Sequence, residues 1–158
     1  MKRVGHLLFL AVIFFVTANK SQAGEKDLRP LFEKYGIKIY TQGARGTCSV
    51  FAVTGLLEFE FAKVSDKKVT PLSVEYLNWA SNQITGEAAD GSYFSDAVTA
   101  LNKYGICEND LFPYYIQNYT SKVEPSPAAV KNAKKRRGIT AIWIKDWDTN
   151  TGMSDNQM

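Results

Sequence analysis

Apolar side chains recur at three- and four-residue intervals through the middle of the chain. Between Cys48 and about Lys63 they fall at Val50, Phe51, Val53, Leu56, Leu57 and Phe61, a spacing that predicts an amphipathic helix with a broad buried face. The pattern returns over residues 71–84 with Leu72, Tyr76, Leu77, Trp79 and Ala80, and Pro71 stands near the start, where proline is tolerated. A third helix is predicted over residues 94–104, with Gly105 placed to cap it. A short fourth is predicted over residues 128–137. Residues 139–144 (ITAIWI) are apolar and partly β-branched and read as a strand. The connectors at residues 41–47 and 85–92 are polar and carry glycine, and residues 65–70 are charged. Residues 24–40 form a mixed lead-in, residues 108–123 an aromatic, turn-rich segment, and residues 148–158 a polar tail without period.

The first 23 residues follow a different logic. Lys2 and Arg3 precede an apolar run, Leu7 to Ala18, broken only by Thr17, and Ser21-Gln22-Ala23 ends it with small residues. That pattern predicts a secretory signal peptide cut after Ala23, hence an exported, periplasmic or extracellular protein. The run falls short of the roughly 20 residues needed to cross a bilayer, so no membrane association is expected after cleavage. Removing residues 1–23 also removes Lys2, Arg3 and Lys20, the whole excess of the 19 basic over the 16 acidic residues. Residues 24–158 are formally neutral, which argues against nucleic acid as a partner. The basic cluster Lys131, Lys134, Lys135, Arg136 and Arg137 reads as a solvated helix face. Asn118-Tyr119-Thr120 is a glycosylation sequon.

The chain has one histidine, His6, and two cysteines, Cys48 and Cys107. Two cysteines without a histidine cannot fill a usual tetrahedral zinc site, so no metal or other cofactor is expected. For an exported chain two cysteines suggest one disulfide. Cys48, however, follows a glycine-containing turn and opens a predicted helix. Unpaired N–H groups at a helix start favour a thiolate and raise reactivity. Arg45 would add positive charge nearby, and Gly46 would let backbone approach closely. Gln42 could aim an amide N–H at an oxyanion formed on a carbonyl attacked by Cys48. Two readings of Cys48 stand here, a reactive thiol, or a quiet cysteine either buried or bridged to Cys107.

The stretch Gln42-Gly43-Ala44-Arg45-Gly46-Thr47-Cys48-Ser49-Val50-Phe51-Ala52 resembles the active-site segment of the papain-like cysteine peptidases. Three further blocks follow in that family's order: Glu58 within the helix, Leu72-Ser73 with Glu75 and Leu77, and Gly105-Ile106 with Pro113-Tyr114. The resemblance implies an α+β fold, of which residues 24–138 would form the mostly helical left (L) domain and residues 139–158 the start of a β-rich right domain that is largely missing. It implies peptide-bond hydrolysis through a Cys48 thioester, with Cys48 as nucleophile and Gln42 as oxyanion donor beside the Cys48 backbone N–H. Gly91 and Ser92 would hold substrate backbone, and Tyr93 and Phe94 would line a side-chain pocket or merely pack at a helix start. The partner would be a peptide or protein substrate.

Departures from the pattern qualify the expectation. Arg45 stands where the family usually has a disulfide cysteine, Ser49 where it has tryptophan or tyrosine, and Ser92 where it has a second glycine. The Arg-Gly-Thr-Cys form is similar to bacterial members. The family places its histidine and asparagine roughly 130–150 residues after the cysteine, beyond Met158. The papain-like mechanism needs an imidazole to hold the thiolate and protonate the leaving amine. The expectation is therefore a truncated chain, inactive alone, or a non-catalytic peptide-binding fragment. Its uncovered cleft face would invite a partner.

Overall fold

The computed structural model describes residues 27–116 and 123–142. The predicted signal peptide, the sequon at Asn118 and the tail lie outside the described residues. The elements run α1 (Arg29–Tyr35), α2 (Cys48–Ser65), α3 (Val74–Thr85), α4 (Phe94–Tyr104), a 3-10 turn (Asn109–Leu111), α5 (Pro127–Ala133) and a second 3-10 turn (Lys134–Arg136).

α3 is the axis of the core. Val74, Tyr76, Leu77 and Ala80 are buried, as are its polar residues Glu75, Asn78, Ser81 and Asn82. Ser73, rather than Pro71, begins this helix: its hydroxyl accepts the N–H of Tyr76 at 2.9 Å, satisfying a first-turn donor, and donates to the carbonyl of Phe112. α4 packs on α3 through Ala97, Ala100 and Leu101, the two alanines leaving room for the helices to pack closely. α2 contributes Val50 and Leu57 to the same core, with Ile106, Cys107 and Phe112 from the segment after α4 and Ala129 and Ala133 from α5. Gly105, at φ +80°, permits that last contact, since a Cβ there would run into the Ala133 carbonyl. The Ser73 N–H bonds to the Cys107 carbonyl and the Asn109 N–H to the Pro71 carbonyl, both at 2.9 Å, pinning the two segments together.

α1 is a helix that apolar spacing did not predict. Pro30 sits in its first turn, and Gly36, left-handed at φ +70°, closes it. Tyr35 and Phe32 meet Phe59 of α2 edge-on, with ring centroids 6.2 and 5.2 Å apart. A second small cluster of Tyr35, Phe59 and Ala62 results.

The strand predicted over residues 139–144 is not seen in its described part, residues 139–142, and Ile142 is 87% exposed. The described residues offer it no neighbouring strand, and an extended segment without a partner has no ladder for its backbone groups. Residues 143 and 144 lie outside the described residues. No described helix is long and apolar enough to cross a membrane.

Candidate active site

Cys48 is the first residue of α2, and its free thiol is exposed. Cys107 is also free but lies fully inside the core. One thiol at the surface and the other beneath α3 cannot be bridged, so the disulfide reading falls. Burial pushes the Cys107 thiol up to about 11, partly offset by a hydrogen bond with Ser73. It is the quiet cysteine of the two.

The turn leading to Cys48 is fixed by Tyr114. The Tyr114 hydroxyl donates to the Gln42 carbonyl at 2.8 Å and lies 2.7 Å from the Thr47 hydroxyl. A phenol has one hydrogen, and the Gln42 carbonyl can only accept, so Thr47 donates to Tyr114. The ring meets Phe51 edge-on at 4.8 Å and carries the Arg45 guanidinium 4.6 Å from its centroid. Gln42, half-buried, donates one amide hydrogen to the Arg45 carbonyl at 2.8 Å. Its side chain is thus folded back across the turn and held in place, with a second amide hydrogen in its inventory.

Arg45 does not lend its charge to Cys48 as expected. The residue is 4% exposed, and its guanidinium turns inward. It donates to Glu75 of α3 at 2.6 and 3.2 Å, to Asp90 at 2.7 Å, and to the carbonyl of Tyr115 at 2.7 Å. Burial works against the cation, but the bonds to Asp90 and Glu75 outweigh it and hold Arg45 above its ordinary value. With two carboxylates to one guanidinium, the cluster carries no net positive charge.

Gly91 and Ser92 are brought against the turn that precedes Cys48. Gly91, at φ +74°, abuts the Gly46 carbonyl so closely that a Cβ there would collide with it. Asn78 grips this segment as a backbone mimic: its amide donates to the Ala89 carbonyl at 3.1 Å, and its Oδ1 accepts the Gly91 N–H at 2.8 Å. The Ser92 N–H donates to the Ser49 hydroxyl at 3.2 Å. Two departures from the family pattern, Ser49 and Ser92, therefore contact each other. Both N–H groups of the pair are engaged inside the protein. Tyr93 and Phe94 follow, 82% and 49% exposed. Tyr93 in particular is an open apolar shoulder rather than helix-start packing.

Glu58, in the middle of α2, is buried, and one of its oxygens accepts the Leu72 N–H at 2.7 Å. The other has no hydrogen-bond partner. Burial pushes this carboxyl up, and the Leu72 N–H only partly offsets it. Among the described residues, no group of three or more His, Cys, Asp or Glu is placed to hold a metal ion. Asp90 and Tyr114 as organisers of the site were not read from the sequence. The Pro113-Tyr114 block was visible, but which face its ring would present was not.

The helical arrangement built around α2, α3 and α4 is that of the helical domain of the papain-like cysteine-protease fold. In particular, the chain is similar to xylellain, a cysteine protease from Xylella fastidiosa, with a TM-score of 0.57 and 20% identity over 63% of this chain and 42% of that one. It is also similar to digestive procathepsin L 3 of the Tenebrio molitor larval midgut, with a TM-score of 0.51 and 23% identity over 65% of this chain and 32% of that one. At these identities the likeness is one of fold, and the chain spans less than half the length of either structure. No family model and no curated protein matches it.

Proposed function

We propose that this chain carries the nucleophile half of a papain-like cysteine peptidase site of bacterial type, in an exported protein. The observation that carries the reading is the exposed free thiol of Cys48 at the start of α2, with Gln42 held at the other end of the same turn. Cys48 Sγ attacks a peptide carbonyl, and the carbonyl oxygen takes the charge as the S–C bond forms. The Gln42 amide and the Cys48 backbone N–H stabilise that oxyanion. The C–N bond then breaks, leaving a thioester, and the departing amine needs a proton. Residues 24–158 hold no histidine, so the imidazole that supplies it must come from residues outside them. Without it the chain binds peptide and forms covalent adducts but does not turn over, which is the second reading, a peptide-binding module.

Substrate backbone lies along Gly91 and Ser92, with Tyr93 and Phe94 beside its side chains. Because both N–H groups of the pair are engaged internally, this shelf donates less to a peptide than an unengaged pair would. The exposed apolar side chains Ile39, Leu56 and Val64 suit packing by a partner or a further part of the protein. The test is to offer residues 24–158 a fluorogenic peptide and a peptidyl chloromethyl ketone. Covalent capture on Cys48 without turnover is expected. Capture no faster than that of the urea-unfolded chain would refute the site.

A further inference from the structure

We infer that Arg45 and Asp90 together form a positioning clamp for peptide binding, an inference that rests on the reading just proposed. Arg45 lies three residues before Cys48, and Asp90 immediately precedes Gly91. Their side chains join the nucleophile turn to the peptide shelf through three contacts, Nε to both Asp90 oxygens at 3.1 and 3.2 Å and Nη2 to Oδ1 at 2.7 Å. The same guanidinium reaches Glu75 on α3 and the Tyr115 carbonyl, so the turn is referenced to the core as well. The Arg45 main chain meanwhile accepts the Gln42 amide. One residue thus fixes the oxyanion donor with its carbonyl and the shelf with its side chain.

The chemistry explains the choice of arginine. A planar fork satisfies two carboxylates and a carbonyl at once, which an ammonium cannot do in fixed geometry. Buried ion pairs add little net stability because desolvation offsets their attraction, so their contribution here is register. The fit it sets is tight at one point: a Cβ on Gly91 would collide with the Gly46 carbonyl. Asp90→Asn should still fold, because Asn78 and Ser49 keep their bonds to Gly91 and Ser92 and Arg45 keeps Glu75 and Tyr115.

The test measures Cys48 alkylation by a peptidyl chloromethyl ketone and by iodoacetamide in the full chain, each rate divided by that of the urea-unfolded chain. The first reagent needs the shelf and the second does not. Wild type should favour the peptidyl reagent. Asp90→Asn and Arg45→Lys should each lower that preference about tenfold, as misplacement by a fraction of an ångström does, with the iodoacetamide rate unchanged and the exposed-site control Glu60→Gln at wild-type values. If Asp90→Asn does not fold, Asp90→Glu, which keeps the charge and shifts the reach, should show an intermediate loss. A wild type without preference would overturn the proposed function and this inference with it. A wild-type preference that survives intact in the folded variants, or loss of both rates in parallel, would overturn the clamp alone.

Discussion

Tyr114 and Gln42, 72 positions apart in sequence, are joined by a 2.8 Å hydrogen bond from the phenol to the backbone carbonyl. The same phenol takes the hydrogen of buried Thr47. Replacing Tyr114 by Phe leaves the ring contacts with Phe51 and Arg45 but orphans a buried hydroxyl. That costs about 1–3 kcal/mol, readable as a lower urea midpoint. An unchanged midpoint would show that the bond contributes nothing.

The two cysteines should differ sharply in alkylation. Under native conditions iodoacetamide should add one carbamidomethyl group, on Cys48, and a second on Cys107 only after denaturation. Cys48→Ser should leave the native protein unlabelled. Intact mass reads each state directly, and recovery of a Cys48–Cys107 disulfide from native protein would contradict the observed geometry.

Glu58 should make stability fall as pH rises. Its folded-state value is raised by burial above the usual glutamate range, so the folded chain binds this proton more tightly than the unfolded one. Stability then drops as pH climbs from the unfolded value near 4.5 through the raised folded value, and the loss is complete above it. Glu58→Gln keeps an acceptor for the Leu72 N–H and removes the ionisation. Its urea midpoint should gain on wild type as pH increases through that window, and parallel pH profiles would refute the assignment.

Two glycines at positive φ should differ in what they tolerate. Gly86, at φ +76° and ψ 5°, is left-handed helical and has open space around it, whereas Gly105, at φ +80° and ψ −159°, sits in a region essentially reserved for glycine and faces the Ala133 carbonyl. Gly86→Ala should cost about 1 kcal/mol of strain. Gly105→Ala should cost clearly more, because its backbone conformation is glycine-only and α5 must shift as well. Equal losses in thermal melts would mean that the Gly105 segment relaxes freely.

Much of this architecture is legible in the sequence because it is local. The spacing from Val50 to Phe61 and from Leu72 to Ala80 sets the faces of α2 and α3, and Gly105 marks the end of α4. The α1 helix was not legible: seven residues give too few turns for a period, and its stability comes from Phe59, far along the chain. Residues 139–142 have strand composition, but composition supplies no pairing partner. At the site, the place of Cys48 at the start of α2 was readable from the turn and the helical period after it, while Gly91 was singled out only through the family resemblance. The inward turn of Arg45 was not readable, because it depends on Glu75 and Asp90 arriving from two other elements. Nor was the contact between Ser49 and Ser92, which are 43 positions apart.

The join between the turn before Cys48 and the segment at Gly91 is ionic, made by Arg45 and Asp90, and both cysteines are free thiols. No cystine has to form before these two segments meet, and none can be lost afterwards. Thiol reductants leave this join intact, so the same geometry assembles in oxidising and reducing surroundings.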